Sequence, residues 1–184
     1  QTGSNLKGFL FGFTDGQHGY LVPYSNGVAY SGKIVRVDLG DFSTVATLNL
    51  ELIDSDLRGF KGGFTDGGYG YFIPNHHEVT FGKVVRVNLN DFSTVTVLDL
   101  TQTDLDLKGF RGGFTDGRYG YFAPSVVGKV ARVDLSDFST VSLVDLTQTD
   151  SDLKGFEGAF TDGQSGYFVP FNNGLPFGWI VRTI

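Results

Sequence analysis

One phrase recurs four times along the chain and limits the possible folds more than any other feature. It reads GFLFGFTDG, GFKGGFTDG, GFRGGFTDG and GFEGAFTDG, and its copies begin at Gly8, Gly59, Gly109 and Gly155. Successive copies are therefore 51, 50 and 46 residues apart. A second phrase, of the form K-hydrophobic-V/A-R-V, keeps the same spacing from Lys33, Lys83 and Lys129. A period of this length is typical of solenoids, arrays and propellers.

One period contains four strand patterns. In the second copy, an aromatic and glycine-rich strand ends at the turn pair Asp66-Gly67, which favours a tight hairpin. A short strand follows and ends at Pro74, because proline cannot donate to a strand ladder. The third strand alternates from Lys83 to Leu89, and a β-branched strand runs from Ser93 to Leu100. Four short antiparallel strands in about fifty residues match the size of a propeller blade.

The order GGFTDG, GYFIP, GKVVRVNL and STVTVLDL resembles the YVTN and NHL type of β-propeller blade over nearly the whole chain. The resemblance implies an all-β fold, in which the first strand of each unit lines the central channel. It implies little about function, since such propellers serve many roles. A β-solenoid is the rival architecture, but its coils are usually shorter and lack a repeated hairpin turn.

The four units define one β-propeller domain over residues 1–184, with repeats at 6–56, 57–106, 107–152 and 153–184. The last unit reaches Ile184 without a fourth strand pattern. We therefore expect a half-propeller of three full blades and one three-stranded blade. Two chains are expected to form one ring of about eight blades. The alternative is that the chain is part of a longer repetitive polypeptide.

Composition and charge limit the classes of molecule that this chain is expected to bind. The chain is 40% hydrophobic and 18% charged, with 27 Gly, and its net charge is −6. An acidic balance argues against nucleic acid and against an anionic membrane surface as partners, because both attract clustered Lys and Arg. The chain has neither Cys nor Met, which excludes disulfides and thiol chemistry. The absence of both oxidisable residues suits an extracellular or cell-surface setting.

Residues present in every unit are expected to serve the scaffold. The aspartates of the Thr-Asp-Gly turns should accept hydrogen bonds from turn amides. The tyrosines of the second strands should pack between blades with bonded hydroxyls. The third-strand arginines should lie between blades, paired with Asp38, Asn88 and Asp134 on the same strand faces, or else meet an anionic group of a ligand.

Variation between units points to the candidate binding residues. The residue after Gly-Phe is Leu10, Lys61, Arg111 or Glu157, and the loop between the second and third strands differs in length and composition. In a propeller these positions open on one face and at the channel mouth. The expected ligand-binding residues are Tyr24, Asn26, Tyr30, Lys61, His76, His77, Phe81, Arg111, Glu157, Asn172, Asn173 and Phe177.

No arrangement of residues typical of catalysis occurs in the sequence. There is no Gly-x-Ser-x-Gly, phosphate-binding loop or paired-His zinc motif, and adjacent His76 and His77 would point opposite ways in a strand. We expect no cofactor. Ca²⁺ remains the alternative, because three pairs of aspartates two residues apart precede first strands and could supply oxygen ligands: Asp54 and Asp56, Asp104 and Asp106, Asp150 and Asp152. The first unit has Ser4-Asn5 instead.

These features predict a multivalent binding or display scaffold without catalytic activity, with carbohydrate or protein as ligand. Two alternatives stay open. One is a metal-centred propeller hydrolase or lyase built from residues at the channel mouth. The other is a purely structural repeat of a larger surface protein.

Overall fold

The computed structural model describes residues 6–42 and 45–183, and Ser4, Asn5 and Ile184 lie outside this part. The fold is all-β, as predicted. Four antiparallel sheets follow one another along the chain, three of them with four strands and the last with three. A single 3-10 turn follows each of the first three sheets, at Leu50–Leu52, Leu100–Gln102 and Leu146–Gln148.

Each sheet takes its strands from one sequence repeat. Blade 1 contains β1 (Phe9–Thr14), β2 (His18–Pro23), β3 (Lys33–Asp38) and β4 (Val45–Asn49). Blade 2 contains β5 (Phe60–Thr65), β6 (Tyr69–Pro74), β9 (Lys83–Asn88) and β10 (Val95–Asp99). Blade 3 contains β11 (Gly113–Thr115), β12 (Tyr119–Phe122), β13 (Lys129–Asp134) and β14 (Val141–Asp145). Blade 4 contains β15 (Phe156–Thr161), β16 (Gly166–Pro170) and β17 (Val181–Thr183), and a small ribbon in blade 2 pairs β7 (His76–His77) with β8 (Val79–Thr80).

The blades stand side by side in a four-blade β-propeller arrangement, with the first strands at its centre. Blade 2 shows how the alternation of a strand produces this packing. Val85 and Val87 of β9 belong to the core that blade 2 shares with blade 1. Val84 of the same strand belongs to the core shared with blade 3. Because side chains alternate along a strand, one sheet serves two cores.

The Thr-Asp-Gly turns close the hairpin between the first two strands of each blade in the predicted way. In blade 4, Asp162 Oδ1 accepts hydrogen bonds from the Gln164 and Ser165 amides, and its Oδ2 accepts one from the Tyr167 hydroxyl at 2.8 Å. The backbone bonds from Ser165 and Gln164, together with the Tyr167 hydroxyl, lower the pKa of Asp162 to about 2. The same Tyr–Asp bond occurs in the other three blades, at 2.7–2.9 Å. The scaffold role expected of both residue types is confirmed.

Neighbouring blades interlock through an aromatic ring and glycines. Phe13 of blade 1 stacks on Tyr20 of its own blade, with ring centres 5.0 Å apart. Its outer edge lies over Gly63 and Gly70 of blade 2, where an added Cβ at Gly70 would come within 2.8 Å of Phe13 Cζ. The next two junctions repeat the arrangement, with Phe64 over Gly120 and Phe114 over Gly166. We call this contact the Phe–Gly interlock.

The third-strand arginines reinforce two junctions, although not in the predicted way. The Arg36 guanidinium lies 4.6 Å from the centre of the Phe92 ring of blade 2, and Arg86 lies 4.4 Å from that of Phe138 in blade 3. The ring of the next blade takes the place of the expected Asp38 or Asn88 partner. These phenylalanines reach this position from the Asp-Phe-Ser-Thr turns, where both adopt a positive φ. A cation over an aromatic face contributes about 0.5–2 kcal/mol according to its exposure.

None of the helical turns in the described part of the chain is long and apolar enough to cross a membrane.

The interlock makes the receiving glycine intolerant of any side chain. We expect Gly120→Ala to lower the free energy of unfolding by about 1–3 kcal/mol, because its Cβ would meet Phe64 Cζ at 2.9 Å and Leu135 Cδ2 at 3.1 Å. Gly178→Ala is the matched control, since no heavy atom lies within 4 Å of its Cβ position. Urea unfolding of both variants measures the difference, and equal midpoints would contradict the interlock.

Candidate binding face

The four loops between second and third strands emerge on one face of the blades, together with the Lys/Arg-Gly-Phe segments that open the first strands. We call this the loop face. The glycine of each segment holds the loop in place. Gly59 has a φ of 77°, and a Cβ there would overlap the His76 carbonyl oxygen. That region of φ is open to glycine at little cost, so the loop backbone can lie directly on this segment. The His76 amide donates to the Gly59 carbonyl at 3.1 Å.

Two adjoining clefts open on this face. Cleft A, of about 410 Å³, has Tyr24, His76, Lys108, Arg111 and Val126 among its lining residues. Cleft B, of about 440 Å³, is lined by Arg111, Ser125, Lys154, Asn172 and Asn173 among others. Arg111, Ser125 and Val126 line both. The clefts therefore meet at blade 3, and one extended ligand could contact both.

The wall of cleft A is partly preorganised by buried polar groups. Asn75 is buried and donates from its side-chain amide to the Phe110 carbonyl at 2.8 Å, which fixes the loop of blade 2 against the Lys-Gly-Phe segment that precedes β11 of blade 3. The rings of Tyr24 and His76 both pack edge-on against Tyr30, with centres 5.6 Å apart in each case. These three aromatic residues, predicted from their variation between repeats, do come together.

Three of the predicted residues form an ion network at the channel mouth. Glu157 of blade 4 pairs with Lys61 of blade 2 and, at 2.6 Å, with Arg111 of blade 3. Burial alone would raise the pKa of Glu157, but the hydrogen bonds from Lys61 and Arg111 outweigh it and lower that pKa below its ordinary value. The carboxylate therefore remains ionised. The network ties three blades together at the centre.

The central cavity beneath this network is small and weakly polar. It measures about 170 Å³ and is lined mainly by the glycines of the first strands, with Phe11, Ile73 and Ala159. Glu157 and Arg111 supply the charges that line it. Within residues 6–42 and 45–183, no group of three or more His, Asp or Glu side chains is placed to hold a metal ion.

In two of the three aspartate pairs, both carboxylates form ion pairs with the same lysine. Lys83 Nζ lies 2.7 Å from Asp54 Oδ2 and 3.1 Å from Asp56 Oδ2, and Lys129 Nζ lies 2.9 Å from Asp104 and 2.8 Å from Asp106. The bond from Lys129 lowers the pKa of Asp104. The carboxylates considered as calcium ligands thus have a cation between them. In blade 4, Trp179 stands at the position of Lys83 and Lys129. Among the ion pairs of the described residues, none joins a lysine to Asp150 or Asp152.

The two histidines point to opposite sides of β7, as expected from a strand. His76 faces cleft A, whereas His77 is buried with its ring centre 4.9 Å from that of Phe81. His77 Nδ1 has no hydrogen-bond partner in the described structure. Burial, with the nearby Arg58 charge as a further cause, lowers the pKa of His77.

Several predicted residues are not available to a ligand in cleft A or B. Phe81 is buried and packs edge-on against Phe60, with ring centres 5.5 Å apart. Phe177 packs in the same way on Phe156, at 5.6 Å. Asn26 is exposed, but its side-chain oxygen accepts bonds from the Val28 and Ala29 amides and so shapes the loop.

Sequence reasoning missed Lys108 and Lys154, which line clefts A and B. Their signal was regular, because a cation precedes Gly-Phe in every repeat: Lys7, Arg58, Lys108 and Lys154. Constancy was interpreted as a mark of the scaffold. The structure shows that a constant position can also face a cleft.

Comparison with known proteins supports the fold alone. Neither a protein family nor a curated protein matches the sequence, so the likeness to YVTN and NHL blades remains a prediction. A solved structure described as Kuenenia stuttgartiensis hydrazine synthase superposes with a TM-score of 0.67 over 99% of this chain, at 16% sequence identity. This chain spans 48% of that one, and such low identity transfers no activity.

The buried His77 should make stability depend on pH. Its lowered pKa means that the unfolded chain binds the proton more readily, so stability should fall as the pH drops below the ordinary value of 6.5. Between pH 7 and pH 5, we expect the free energy of unfolding to fall less in His77→Phe than in the wild type. The two slopes should differ by at most about 1.4 kcal/mol per pH unit, the value for one proton. Urea unfolding at several pH values tests this, and identical slopes in both proteins would contradict it.

Proposed function

We propose that this propeller is a non-catalytic binding or display module that takes an extended, acidic carbohydrate across clefts A and B. The observation that carries the proposal is the joining of two open clefts at Arg111, Ser125 and Val126. Each cleft has a volume within the range of about 300–1,000 Å³ that small-molecule and cofactor sites occupy. A sugar chain has the length to follow both.

The charge of the clefts supports an acidic ligand. Although the whole chain has a net charge of −6, the clefts are lined by Lys61, Lys108, Arg111 and Lys154. Two of the acids nearby already have cationic partners: Glu157 pairs with Lys61 and Arg111, and Asp106 pairs with Lys129. Lys108 and Lys154 take part in none of the ion pairs of the described residues, so their charges can attract carboxylate or sulfate groups. Tyr24 and the amides of Asn172 and Asn173 add a ring and hydrogen-bonding groups of the kind that suit sugars.

A protein ligand is the second candidate, and a different observation favours it. Each loop carries an exposed aliphatic side chain: Val28, Val79, Val126 and Leu175. These four residues place one apolar group on each blade of the loop face. Apolar groups spread over a face in this way suit a protein surface better than a sugar.

The metal-centred hydrolase or lyase has less support. Glu157, the carboxylate that lines the central cavity, is held by two cations and is thus poorly suited to act as a base or a ligand. We therefore favour binding over chemistry at this site.

The test is a glycan array probed at high protein density, with sulfated, uronic-acid and neutral glycans side by side. Binding to sulfated or uronic-acid glycans, weakened by added salt, is expected because the attraction is electrostatic and screened. The double variant Lys108→Gln/Lys154→Gln should bind such a glycan about tenfold more weakly, which corresponds to about 1.4 kcal/mol.

Arg118→Gln provides the matched control. Arg118 is an exposed cation in a Thr-Asp-Gly-Arg turn, at the end of the blade opposite the loop face, and it should leave binding unchanged. Equal losses in both variants would reveal a general charge effect and contradict a site in the clefts. A wild-type protein that binds no acidic glycan would overturn the carbohydrate proposal and leave the protein ligand as the candidate.

A further inference from the structure

The faces at the two ends of the row of blades are complementary halves of the Phe–Gly interlock. Each internal junction joins a projecting Phe of one blade to a receiving glycine of the next (Gly70, Gly120 or Gly166), and all three such junctions are filled. The three core clusters of the described residues span blades 1 and 2, 2 and 3, and 3 and 4. Among the described residues, no such cluster joins blade 4 to blade 1. Within residues 6–42 and 45–183, one projecting half and one receiving half thus have no counterpart.

Blade 4 presents the projecting half. Phe160 stacks on Tyr167 with ring centres 5.1 Å apart, in the geometry of the equivalent pairs in blades 1 to 3. Its side chain is nevertheless 53% exposed, whereas the equivalent Phe64 and Phe114 are 7% and 5% exposed. Arg182 lies on the same face and is exposed as well. The ring is already oriented as it is at the filled junctions.

Blade 1 presents the receiving half. Gly19 is equivalent to Gly70, Gly120 and Gly166, but the space above it is open: an added Cβ would meet only Leu39 Cδ2, at 3.3 Å. Phe42, in the Asp-Phe-Ser-Thr turn of this blade, is 71% exposed, against 7% for Phe92 and 4% for Phe138. Those two phenylalanines are covered by the tyrosine and arginine of the preceding blade. Phe42 therefore lacks the cover that its equivalents receive.

We propose that a second copy of this chain fills both halves. Phe160 of one copy seats over Gly19 and Leu21 of the other, and Arg182 lies over Phe42 of that other copy. Each junction joins two different surfaces, and two such junctions close into a ring when a two-fold axis relates the copies. Two copies related by a two-fold axis form two identical junctions. Eight blades then surround one channel.

The shape of the receiving surface indicates which partner fits it. The space above Gly19 is equivalent to the places that hold Phe13, Phe64 and Phe114, and Leu39 lies beside it as Leu89 and Leu135 lie beside Gly70 and Gly120. Leu21 supplies an apolar side chain where the other blades have a phenylalanine. A surface of this shape fits the edge of the same repeat better than an unrelated partner. The inference does not depend on the ligand of the loop face.

The experiment is the mass of the 184-residue chain in solution, by light scattering over a range of concentrations. The wild type should approach twice the 20.0 kDa of one chain. Phe160→Ser removes the projecting ring, and Gly19→Val fills the receiving space. Each should raise the dissociation constant at least about tenfold, because buried aromatic anchors dominate such interfaces. A wild type that stays at the mass of one chain at its highest soluble concentration would overturn the proposal.

Phe171→Ser is the matched control, since Phe171 is 54% exposed in the same blade but lies on the loop face. It should keep the wild-type mass, and a loss equal to that of Phe160→Ser would contradict the assigned contact. Circular dichroism and urea unfolding verify that each variant folds. Gly19 does not adopt a positive φ, so valine is compatible with its strand backbone.

Mixing the two variants gives a result that a folding defect cannot produce. One junction of the mixed pair joins the Phe160 of the Gly19→Val chain to the Gly19 of the Phe160→Ser chain, and is native. The other joins the serine to the valine, where the smaller side chain leaves room for the larger. The mixture should therefore recover the double mass that neither variant reaches alone. Failure to associate on mixing would overturn the proposed pairing.

Discussion

The structure depends on the packing of a phenylalanine ring against a glycine of the next blade. At each internal junction the phenylalanine of one blade reaches a glycine of the next, and that glycine is needed because any Cβ would occupy the space of the phenylalanine ring. The tyrosine beneath supports that ring and is itself fixed by its bond to the turn aspartate. The hairpin turn, the stacked pair and the junction thus form one connected unit. A sheet of four short strands gains its stability mainly from the two neighbours that cover its faces.

This dependence explains why the fold could be predicted from the sequence. The turn aspartate, the tyrosine and the glycine directly before that tyrosine recur about every fifty residues, because every junction needs them. A periodic pattern of strands and turns is sufficient to recognise a blade. The hydrogen-bonded tyrosines followed from the same reasoning, since a buried hydroxyl requires a partner. The aromatic partners of Arg36 and Arg86 did not follow, because the ring that meets each arginine lies some fifty residues further along the chain, in the next unit.

The candidate site was only partly predictable, and the reason lies in the loops. Variation between copies identified Tyr24, His76 and Arg111, which do meet in cleft A. The same criterion selected Phe81 and Phe177, which cover the first-strand Phe60 and Phe156 instead. A loop must cover the end of the core as well as meet a ligand. Variation in the loop does not show which aromatic residue covers the core and which lines the cleft. Lys108 and Lys154 were overlooked for the opposite reason, because a constant residue resembles scaffold.

A junction built from the same two halves at every step carries no information about how many blades there should be. Each copy of the repeat can stand beside any other, so duplication or loss of a whole unit leaves every core interface as it was. The loop residues that neither close the core nor bond to the next blade can then diverge without compensating changes elsewhere. A gene that encodes such units can lengthen or shorten by recombination between its own repeats and still specify blades that fit. The interlock thus makes this architecture tolerant of the duplication of its own units.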